Sequence, residues 1–296
     1  MIANWPRITI VTPSLNQSGY LEETICSVLG QGYPSLEYMV LDGGSTDGSV
    51  EIIRKYEQHL AYWTSEKDDG QAEAISRGFA RSTGDILGWV NSDDYLLPGA
   101  LAKVGKFFTQ NPGADLAIGG GIVVDASGSL VRKYYSFPQN FDSLLVGGQF
   151  FMQPAAFWRR SAYETIGGLD TSLHYCFDYE LFLRLTRIRA PSGIAAILAA
   201  FRIHDQSKTS TILSTVGLSE LEQVRSRYSV AKWQEVEREK LYRNTVLEYY
   251  RITRRGIILD CINDPSYFFR CLKNKLSGKP GTPLGVTPPG IDGLTR

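Results

Sequence analysis

Hydrophobic and polar residues alternate along the first 125 residues in a rhythm typical of strands followed by helices. The β-branched run at 7–12 (RITIVT) predicts a first strand, and apolar positions at helical spacing predict a helix at 20–31. The alternation continues, with strands predicted at 37–41, 61–64, 85–90 and 115–124 and helices at 50–56, 71–81 and 98–109. Strands separated by such helices predict an α/β fold with a mainly parallel central sheet, flanked by helices on both faces.

The rhythm changes after residue 125. The predicted elements there are a hairpin around 126–128, strands at 150–158 and 193–202, and a helix at 178–186. They are followed by a Ser/Thr-rich mobile loop at 204–215, predominantly helical residues at 217–250 and a Gly/Pro-rich disordered tail at 277–296. We therefore divide the chain into a main domain at 1–216 (halves 1–125 and 126–216), a helical basic extension at 217–276 and the tail at 277–296.

The overall charge and composition are those of a soluble globular protein. The chain has 31 basic and 31 acidic side chains and 43% hydrophobic residues. This balance excludes a disordered chain, a collagen-like repeat and a highly charged nucleic-acid arm, so no nucleic-acid partner is expected. The charge is unevenly placed, because residues 1–216 carry 17 basic and 22 acidic side chains, whereas residues 217–279 carry 13 and 8. An acidic front and a basic rear indicate parts with different roles.

The sequence also bears on location. Its four cysteines show neither CxxC nor zinc-finger spacing, which is typical of reduced thiols in a cytosolic protein. The N-terminal residues become polar too soon for a signal peptide. The longest fully apolar run, at 194–201, is far shorter than the roughly 20 residues that span a bilayer. We therefore expect a cytoplasmic protein that is not integral to the membrane.

Polar clusters follow the first four predicted strands, at 13–16, 42–47, 66–71 and 91–94. Ligands of parallel α/β sheets bind beyond the carboxyl ends of the strands, so these clusters predict a carboxylate-rich cleft along one edge. The segment at 42–48 (DGGSTDG) would suit a base and ribose. An ordinary strand-to-helix turn is the alternative interpretation of that segment.

The sharpest cluster is Asn91-Ser92-Asp93-Asp94, between an apolar strand and a helix. Two adjacent carboxylates repel each other, and keeping both charged favours a nearby cation. Hard oxygen ligands suit Mg²⁺ or Mn²⁺. Taken alone, the cluster is equally compatible with a polar turn in which Asp caps the next helix.

A second candidate is the segment at 177–185 (FDYELFLRL), which predicts a helix that opens with two carboxylates. A carboxylate held rigidly at this position could accept a proton from a hydroxyl group. The alternative is that Asp178 and Glu180 only complement the positive end of the helix dipole.

Four segments, in order, resemble a family 2 glycosyltransferase of the GT-A fold. They are TPSLNQSGYLEETICSVLGQGYPSLEYMVLDGGSTDGS at 12–49, DDGQAEAISRGFARSTGDILGWVNSDDYLLPGAL at 68–101, FDYELFLRL at 177–185 and RIHDQS at 202–207. The resemblance implies a nucleotide-sugar donor, an acidic "DXD" metal motif and an inverting displacement. It also implies that residues 1–125 bind the nucleotide and 126–216 the acceptor.

The resemblance assigns the donor nucleotide to residues after the first two strands. Pro13 and Asn16 would line the base pocket. Asp42 would hydrogen-bond the nucleobase imide, and Ser45 and Asp47 would belong to the same loop.

The remaining donor contacts would follow the third and fourth strands. Asp69 and Gln71 match the family's third nucleotide-contact segment. Asp93 would face the ribose or donor sugar, and Asp94 would ligate a divalent metal, Mn²⁺ or Mg²⁺, at the diphosphate. The family often opens this motif with Asp, where this chain has Asn91, which can hydrogen-bond but adds no charge.

For the chemical step, the resemblance makes Asp178 the general base and gives Glu180 a role in orienting the acceptor or a loop. His204 would complete the metal or diphosphate site. Four further residues would lie near the acceptor or on a loop that closes over the diphosphate: Trp158, Tyr175, Ser207 and Lys208.

The resemblance also suggests partners. A UDP-sugar donor, a glycan or lipid-linked acceptor and a role in surface polysaccharide biosynthesis would follow from it. The aromatic and basic residues at 249–275 are typical of a peripheral contact with an anionic membrane on its inner face. A solvated helix face or a homo-oligomer contact is the alternative. Rival functions are a sugar-phosphate nucleotidyltransferase and a catalytically inactive nucleotide- or glycan-binding module.

Overall fold

The computed structural model describes residues 5–228 and 235–263. Its strands are β1 (Ile8–Ser14), β2 (Leu36–Asp42), β3 (Tyr62–Ser65), β4 (Ile86–Trp89), β5 (Tyr95–Leu96), β6 (Leu116–Val124), β7 (Leu130–Tyr134), β8 (Ala156–Arg159) and β9 (Ser192–Arg202). Its α-helices are α1 (Leu21–Leu29), α2 (Ser49–Tyr56), α3 (Gln71–Arg81), α4 (Ala100–Gln110), α5 (Phe141–Gly147), α6 (Arg160–Thr165), α7 (Phe177–Ile188), α8 (Lys208–Thr211), α9 (Leu218–Arg227) and α10 (Glu235–Asn263).

The strands of the described residues form one sheet in the order β3-β2-β1-β4-β8-β6-β9-β5, with β7 paired to β6. The first four are parallel, and their register places Ser14 beside Asp42 and Asp42 beside Ser65. Beyond β4 the sheet is mixed, because β8 runs antiparallel to both β4 and β6. The predicted α/β class is therefore confirmed, with parallel pairing in the first half and mixed pairing overall. Because β1, β2 and β3 end at the same level, the loops that follow them lie at one edge of the sheet.

Hydrophobic side chains on the two faces of the sheet form two cores. On one face Ile8 and Ile10 pack with Ile25 of α1. On the other, Val11 packs with Phe79 of α3. This alternation follows from the period of two in a strand, and it confirms that helices cover both faces.

Two predicted elements differ from the structure. The strand predicted at 150–158 is reduced to β8, preceded by a 3₁₀ turn at Gln153–Ala155. Pro154 has no N–H to donate to a sheet, and the apolar run before it is buried outside the ladder. The irregular loop predicted at 204–215 contains α8, followed by a π-helical turn at Leu213–Gly217. The Ser207 hydroxyl caps α8 by accepting the N–H of Ser210 at 3.3 Å.

The described part of the predicted basic extension packs against the main domain. Tyr249 of α10 is 2% exposed and contacts the rings of Phe137 and Phe150, with centroids 5.7 and 5.2 Å away. Lys133 on β7 forms an ion pair of 2.9 Å with Asp260 of α10.

Residues 264–275 of the predicted membrane-contacting segment and the predicted tail at 277–296 lie outside the described residues. None of the helices described at 5–228 and 235–263 combines the length and the apolar character that crossing a bilayer requires.

Candidate functional site

The loop after β2 is folded around the carboxylate of Asp42, which is 1% exposed. Its Oδ2 accepts the N–H of Ser45 at 2.8 Å and the N–H of Gly44 at 3.1 Å. The hydroxyl of Ser65, at the end of β3, donates to the same oxygen at 2.7 Å, and the hydroxyl of Ser45 donates to Oδ1 at 2.5 Å. Asp42 therefore fixes the shape of the predicted nucleotide loop.

Asn16 and Asp47 join the loops after β1 and β2. Asn16 has a left-handed φ of 51°, and its Oδ1 accepts the N–H of Thr46 at 2.9 Å. Asp47 Oδ2 accepts the N–H of Ser18 at 2.8 Å. Although burial alone would raise it, hydrogen bonds from Ser49 and Ser18 lower the pKa of Asp47 to about 2. Pro13 is buried in β1 beside these loops. The structure thus brings these predicted base-pocket residues together.

The loop after β3 lies against the same edge. Asp68, which was absent from the predicted site, accepts the N–H of Gly70 at 2.9 Å. Its carboxylate approaches Gly43 so closely that a Cβ there would meet Oδ2 at 2.9 Å. The predicted Asp69 is exposed next to it.

A chain of hydrogen bonds runs from this loop into the acidic motif. Gln71 Nε2 donates to Asn91 Oδ1 at 2.6 Å, and Asn91 Nδ2 donates to Asp94 Oδ2 at 3.1 Å. The other oxygen of Asp94 accepts the N–H of Arg202 at 2.9 Å. Asp94 is 1% exposed, and burial together with the charge of Asp93 raises its pKa well above the ordinary value. Asp94 therefore anchors the motif, although the resemblance assigns it to the metal.

Asp93 is the accessible carboxylate of the pair, with 19% of its side chain exposed. Its Oδ2 lies 3.0 Å from Nε2 of the buried His204. The His204 ring packs against Tyr20, with centroids 4.8 Å apart. The structure thus pairs the predicted metal residue His204 with Asp93 rather than with Asp94.

Arg202, at the end of β9, was not singled out from the sequence, yet it joins three parts of the site. It is 2% exposed, and its Nε donates to the backbone oxygen of Asp93 at 3.0 Å. Its Nη1 donates to the backbone oxygen of Asp125 in the β6–β7 turn at 3.3 Å, and its Nη2 donates to Glu23 of α1 at 2.5 Å. Its guanidinium also lies 4.8 Å from the centre of the Tyr20 ring. Because Arg202 is buried and has these partners, it holds the acidic motif at 91–94 in place. It also fixes the start of the chain segment that leads to His204.

Asp178 occupies the first turn of α7 and is half-buried. Its Oδ1 accepts the N–H of Tyr179 at 2.7 Å. Burial raises the pKa of Asp178 to about 6, although its backbone hydrogen bonds and Lys208 act in the opposite direction. A carboxylate with such a pKa is ionised at neutral pH and is a stronger base than an ordinary aspartate.

Glu180 differs from Asp178 although it lies only two residues further on. It is 3% exposed, and its two oxygens accept from Nε and Nη2 of Arg184 at 2.7 and 2.5 Å. Two residues along a helix turn the side chain by about 200°, so the two carboxylates point to different sides. The structure gives Glu180 an ion-paired packing role on α7.

Lys208 connects Asp178 to the rest of the cleft. Its exposed side chain donates to the backbone oxygen of His174 at 3.0 Å. It also interacts electrostatically with four carboxylates, those of Glu220, Asp178, Asp68 and Asp93.

Two of the predicted acceptor residues have contrasting positions. Tyr175 is half-buried and packs against Gly217, where a Cβ would lie 2.9 Å from the ring. Trp158 is 0% exposed and lies in the core, with ring centroids 5.3 Å from Trp89 and 6.0 Å from Phe182. The structure therefore separates Trp158 from the cleft.

Comparisons of the sequence with known proteins find related glycosyltransferases. An uncharacterized glycosyltransferase from Mycobacterium tuberculosis (strain ATCC 25618 / H37Rv) is 31% identical over 199 residues, covering 66% of this chain and 75% of the relative. The putative teichuronic acid biosynthesis glycosyltransferase TuaG from Bacillus subtilis (strain 168) is 30% identical over 145 residues, covering 47% of this chain and 56% of TuaG.

Solved structures share the fold at low identity. S. aureus TarS 1–349 in complex with UDP-GlcNAc superimposes with a TM-score of 0.64 at 16% identity, covering 81% of this chain and 71% of the TarS chain. The mannosyltransferase PcManGT from Pyrobaculum calidifontis, in complex with GDP-Man and Mn²⁺, gives 0.59 at 17% identity, covering 94% and 77%. The family model described as "Glycosyl transferase family 2" matches residues 9–167, which is just over half of the chain. The chain therefore belongs to glycosyl transferase family 2 and has the GT-A fold.

Proposed function

We propose that this protein is an inverting glycosyltransferase that moves a sugar from a nucleotide-sugar donor to a hydroxyl group of a glycan or lipid-linked acceptor. The observation that carries the proposal is the position of Asp178. It is a half-buried carboxylate in the first turn of α7, with a pKa of about 6 and an electrostatic interaction with Lys208. A base poised near neutral pH beside a nucleotide cleft suits proton abstraction from a hydroxyl.

In the proposed reaction, Asp178 accepts the proton of the acceptor hydroxyl. The hydroxyl oxygen forms a bond to the anomeric carbon from the face opposite the nucleotide. The bond between that carbon and the diphosphate breaks, and its electron pair leaves with the diphosphate oxygen. An α-linked donor would therefore give a β-linked product. Lys208 would place a positive charge on the side of the cleft where Asp178 acts.

The residues present fit a divalent cation that is shared with the substrate. No group of three or more metal-ligating side chains occurs within the described ranges 5–228 and 235–263. Asp93 and His204 nevertheless present one carboxylate and one imidazole 3.0 Å apart. Mg²⁺ and Mn²⁺ sites often combine one or two protein ligands with substrate phosphates. We therefore assign the ligand role to Asp93 and His204 instead of Asp94; the cation, when bound, would offset the charge of the leaving diphosphate.

The nucleotide would occupy the loops after β1 and β2. Asn16 and Ser45 form the polar edge there, with Pro13 behind it, while Asp69 and Gln71 border it. The buried Asp42 carboxylate holds the loop that carries Ser45. A UDP-sugar is the first donor to test, because the TarS structure contains UDP-GlcNAc. GDP-Man is the second, because it is bound in PcManGT. The name of TuaG supports a role in the synthesis of a surface polysaccharide.

A peripheral membrane contact is proposed for the outer face of α10. Leu247 and Leu259 are each 58% exposed there, and the exposed Arg251, Arg254 and Arg255 lie between them. Apolar and cationic side chains on one helix face suit an anionic lipid surface. Co-sedimentation with phosphatidylglycerol vesicles tests this contact, and equal sedimentation with phosphatidylcholine vesicles would contradict it.

The direct test of the function is a thermal-shift panel of UDP-GlcNAc, other UDP-sugars and GDP-Man, with Mn²⁺ and with EDTA, followed by assay of nucleoside diphosphate release. We expect a Mn²⁺-dependent rise in Tm and release of the nucleoside diphosphate with the same donor. Binding without release by wild-type protein would favour a catalytically inactive binding module, and release of pyrophosphate would favour a nucleotidyltransferase.

A further inference from the structure

Glu220, on α9, makes an unusual set of contacts for a residue of the C-terminal part. Its side chain is buried, at 8% exposed, although it is charged. Its Oε1 accepts the N–H of His174 at 2.7 Å, and its Oε2 accepts the N–H groups of Tyr175 and Cys176 at 2.8 and 2.9 Å. One carboxylate thus holds three consecutive backbone donors.

These three donors immediately precede α7. Cys176 is the N-cap residue of that helix, and its own side chain does not cap it. The N–H groups at a helix start need acceptors from elsewhere, and a negative charge there is favoured by the helix dipole. Asp178 is two residues after the last donor. Any shift of 174–176 would therefore move the first turn of α7 and its carboxylate.

The same stretch also receives contacts from the segment that carries Lys208. Lys208 Nζ donates to the backbone oxygen of His174 at 3.0 Å, and Cys176 Sγ donates to the backbone oxygen of Gly217 at 3.4 Å. Glu220 follows this segment at the start of α9. Its carboxylate therefore connects the segment that carries Lys208 to residues 174–176, which directly precede the proposed base Asp178.

We propose that Glu220 is a positioning residue for sugar transfer, holding residues 174–176 so that the Asp178 carboxylate is aimed at the acceptor hydroxyl. The proposal rests on the proposed function in one respect, namely that Asp178 is the base. Glu220 lies beyond the matched family range of 9–167, so the family match does not assign it. It is 42 residues away from Asp178 along the chain.

The test compares Glu220→Gln and Glu220→Asp with a control, Glu222→Gln, in the full chain. Glu222 is exposed on the same helix. A glutamine has only one acceptor oxygen, so at least one of the three N–H groups loses its partner. We expect at least tenfold faster amide hydrogen exchange at 174–176 in Glu220→Gln and no change in the control.

The kinetic arm measures UDP release from UDP-GlcNAc, and GDP release from GDP-Man, with Mn²⁺ present and with water as the hydroxyl group that accepts the sugar. Because misplacement by about 1 Å can cost about 100-fold in rate, we expect Glu220→Gln to lower kcat by roughly 10- to 100-fold. The donor KM should change by less than about threefold, since the nucleotide loops are untouched. Glu220→Asp keeps the charge and should recover part of kcat; it also serves if Glu220→Gln does not fold.

Each result has a defined meaning. Unchanged exchange at 174–176, or faster exchange with wild-type kcat, would overturn the positioning role. A fall in kcat matched by an equal rise in donor KM would also overturn it. Failure of the proposed function looks different: Asp178→Asn would then retain turnover, or wild-type protein would release no diphosphate, while the exchange result for Glu220→Gln would be unaffected.

Discussion

The two sides of the cleft are built differently. On the proposed donor side, short loops after consecutive strands hold one another, as Asp42 does with Ser45 and Ser65. On the proposed acceptor side, residues 174–176, just before Asp178, are held by the much later residues Lys208 and Glu220. Local contacts make the donor side recognisable from short motifs. The acceptor side depends on long-range packing, so its geometry is sensitive to substitutions far away in sequence.

The largest expected effect concerns Trp158, which the family resemblance places near the acceptor and the structure places in the core. Trp158→Ala should lower the free energy of unfolding by about 3–5 kcal/mol, because it leaves a cavity among aromatic rings. Urea denaturation measures this change.

Trp158→Phe is the matched variant, because it keeps an aromatic ring and removes an indole N–H that has no partner among the described residues. It should cost less than about 1.5 kcal/mol and leave the acceptor KM unchanged. A several-fold rise in acceptor KM for Trp158→Phe would show that Trp158 contributes to acceptor binding.

Arg202 joins the acidic motif at 91–94 to α1 and to the β6–β7 turn, so its loss should affect both the fold and the motif. Arg202→Met leaves the backbone oxygens of Asp93 and Asp125 without their buried donor. We expect a loss of about 2–4 kcal/mol in the free energy of unfolding, together with weaker Mn²⁺-dependent nucleotide binding. Arg251→Met, at an exposed arginine, is the control and should change stability by less than about 0.5 kcal/mol. Equal effects of the two substitutions would show that Arg202 does not hold the acidic motif in place.

The raised pKa of Asp178 gives the acceptor side a distinct pH signature. Because the folded-state pKa is about 6 and the ordinary value is 3.8, the folded state binds the proton more tightly. The contribution of this group to stability is therefore fully present below about pH 4 and is lost as pH rises through about 6. Asp178→Asn should be more stable than wild type by roughly 1–3 kcal/mol at pH 8, with the difference shrinking toward pH 4.

Activity should show the opposite trend, since only the ionised carboxylate accepts a proton. We expect kcat of the wild type to rise through pH 6 and to level off above pH 7. Chemical denaturation at several pH values and a kcat profile measure the two curves. A stability difference that does not vary with pH would contradict the burial of this carboxylate.

The smallest expected effect concerns the two adjacent aspartates of the proposed donor side, Asp93 and Asp94, whose substitutions should have different consequences. Asp93→Asn should reduce the Mn²⁺-dependent gain in nucleotide affinity by roughly tenfold or more, with little change in Tm without metal. Asp94→Asn should act mainly on stability, because both oxygens of Asp94 are hydrogen-bonded inside the protein. Calorimetric titration with UDP, with Mn²⁺ and with EDTA, distinguishes them. A larger loss of the Mn²⁺ effect in Asp94→Asn would restore Asp94 as the ligand.

The sequence predicted most of the fold because hydrophobic periodicity reports burial directly. The helix predicted at 71–81 has the bounds of α3. The same signal failed at 150–158, where apolar residues are buried without pairing as a strand, and Pro154 interrupts the ladder. Burial alone does not distinguish these two situations.

The candidate site was predictable where its residues sit at strand ends. Spacing does not reveal which of two adjacent carboxylates is buried, and so the burial of Asp94 and the accessibility of Asp93 could not be predicted. Asp178 and Glu180 could be separated by helix geometry, but only once the core side of α7 was known. Arg202 and Glu220 were not found, because each acts through partners that the chain reaches only after folding.

The most direct test of the central claim, that donor binding and proton abstraction are served by separate sides of the cleft, is Asp178→Asn measured in two ways. Nucleoside diphosphate release should fall by about a thousandfold or more. The Kd for UDP with Mn²⁺ should remain within about twofold of the wild-type value, because Asp178 lies on α7, whereas the proposed nucleotide site is formed by the loops after β1 and β2. Undiminished release by Asp178→Asn, or a loss of UDP affinity that matches the loss of release, would contradict the account.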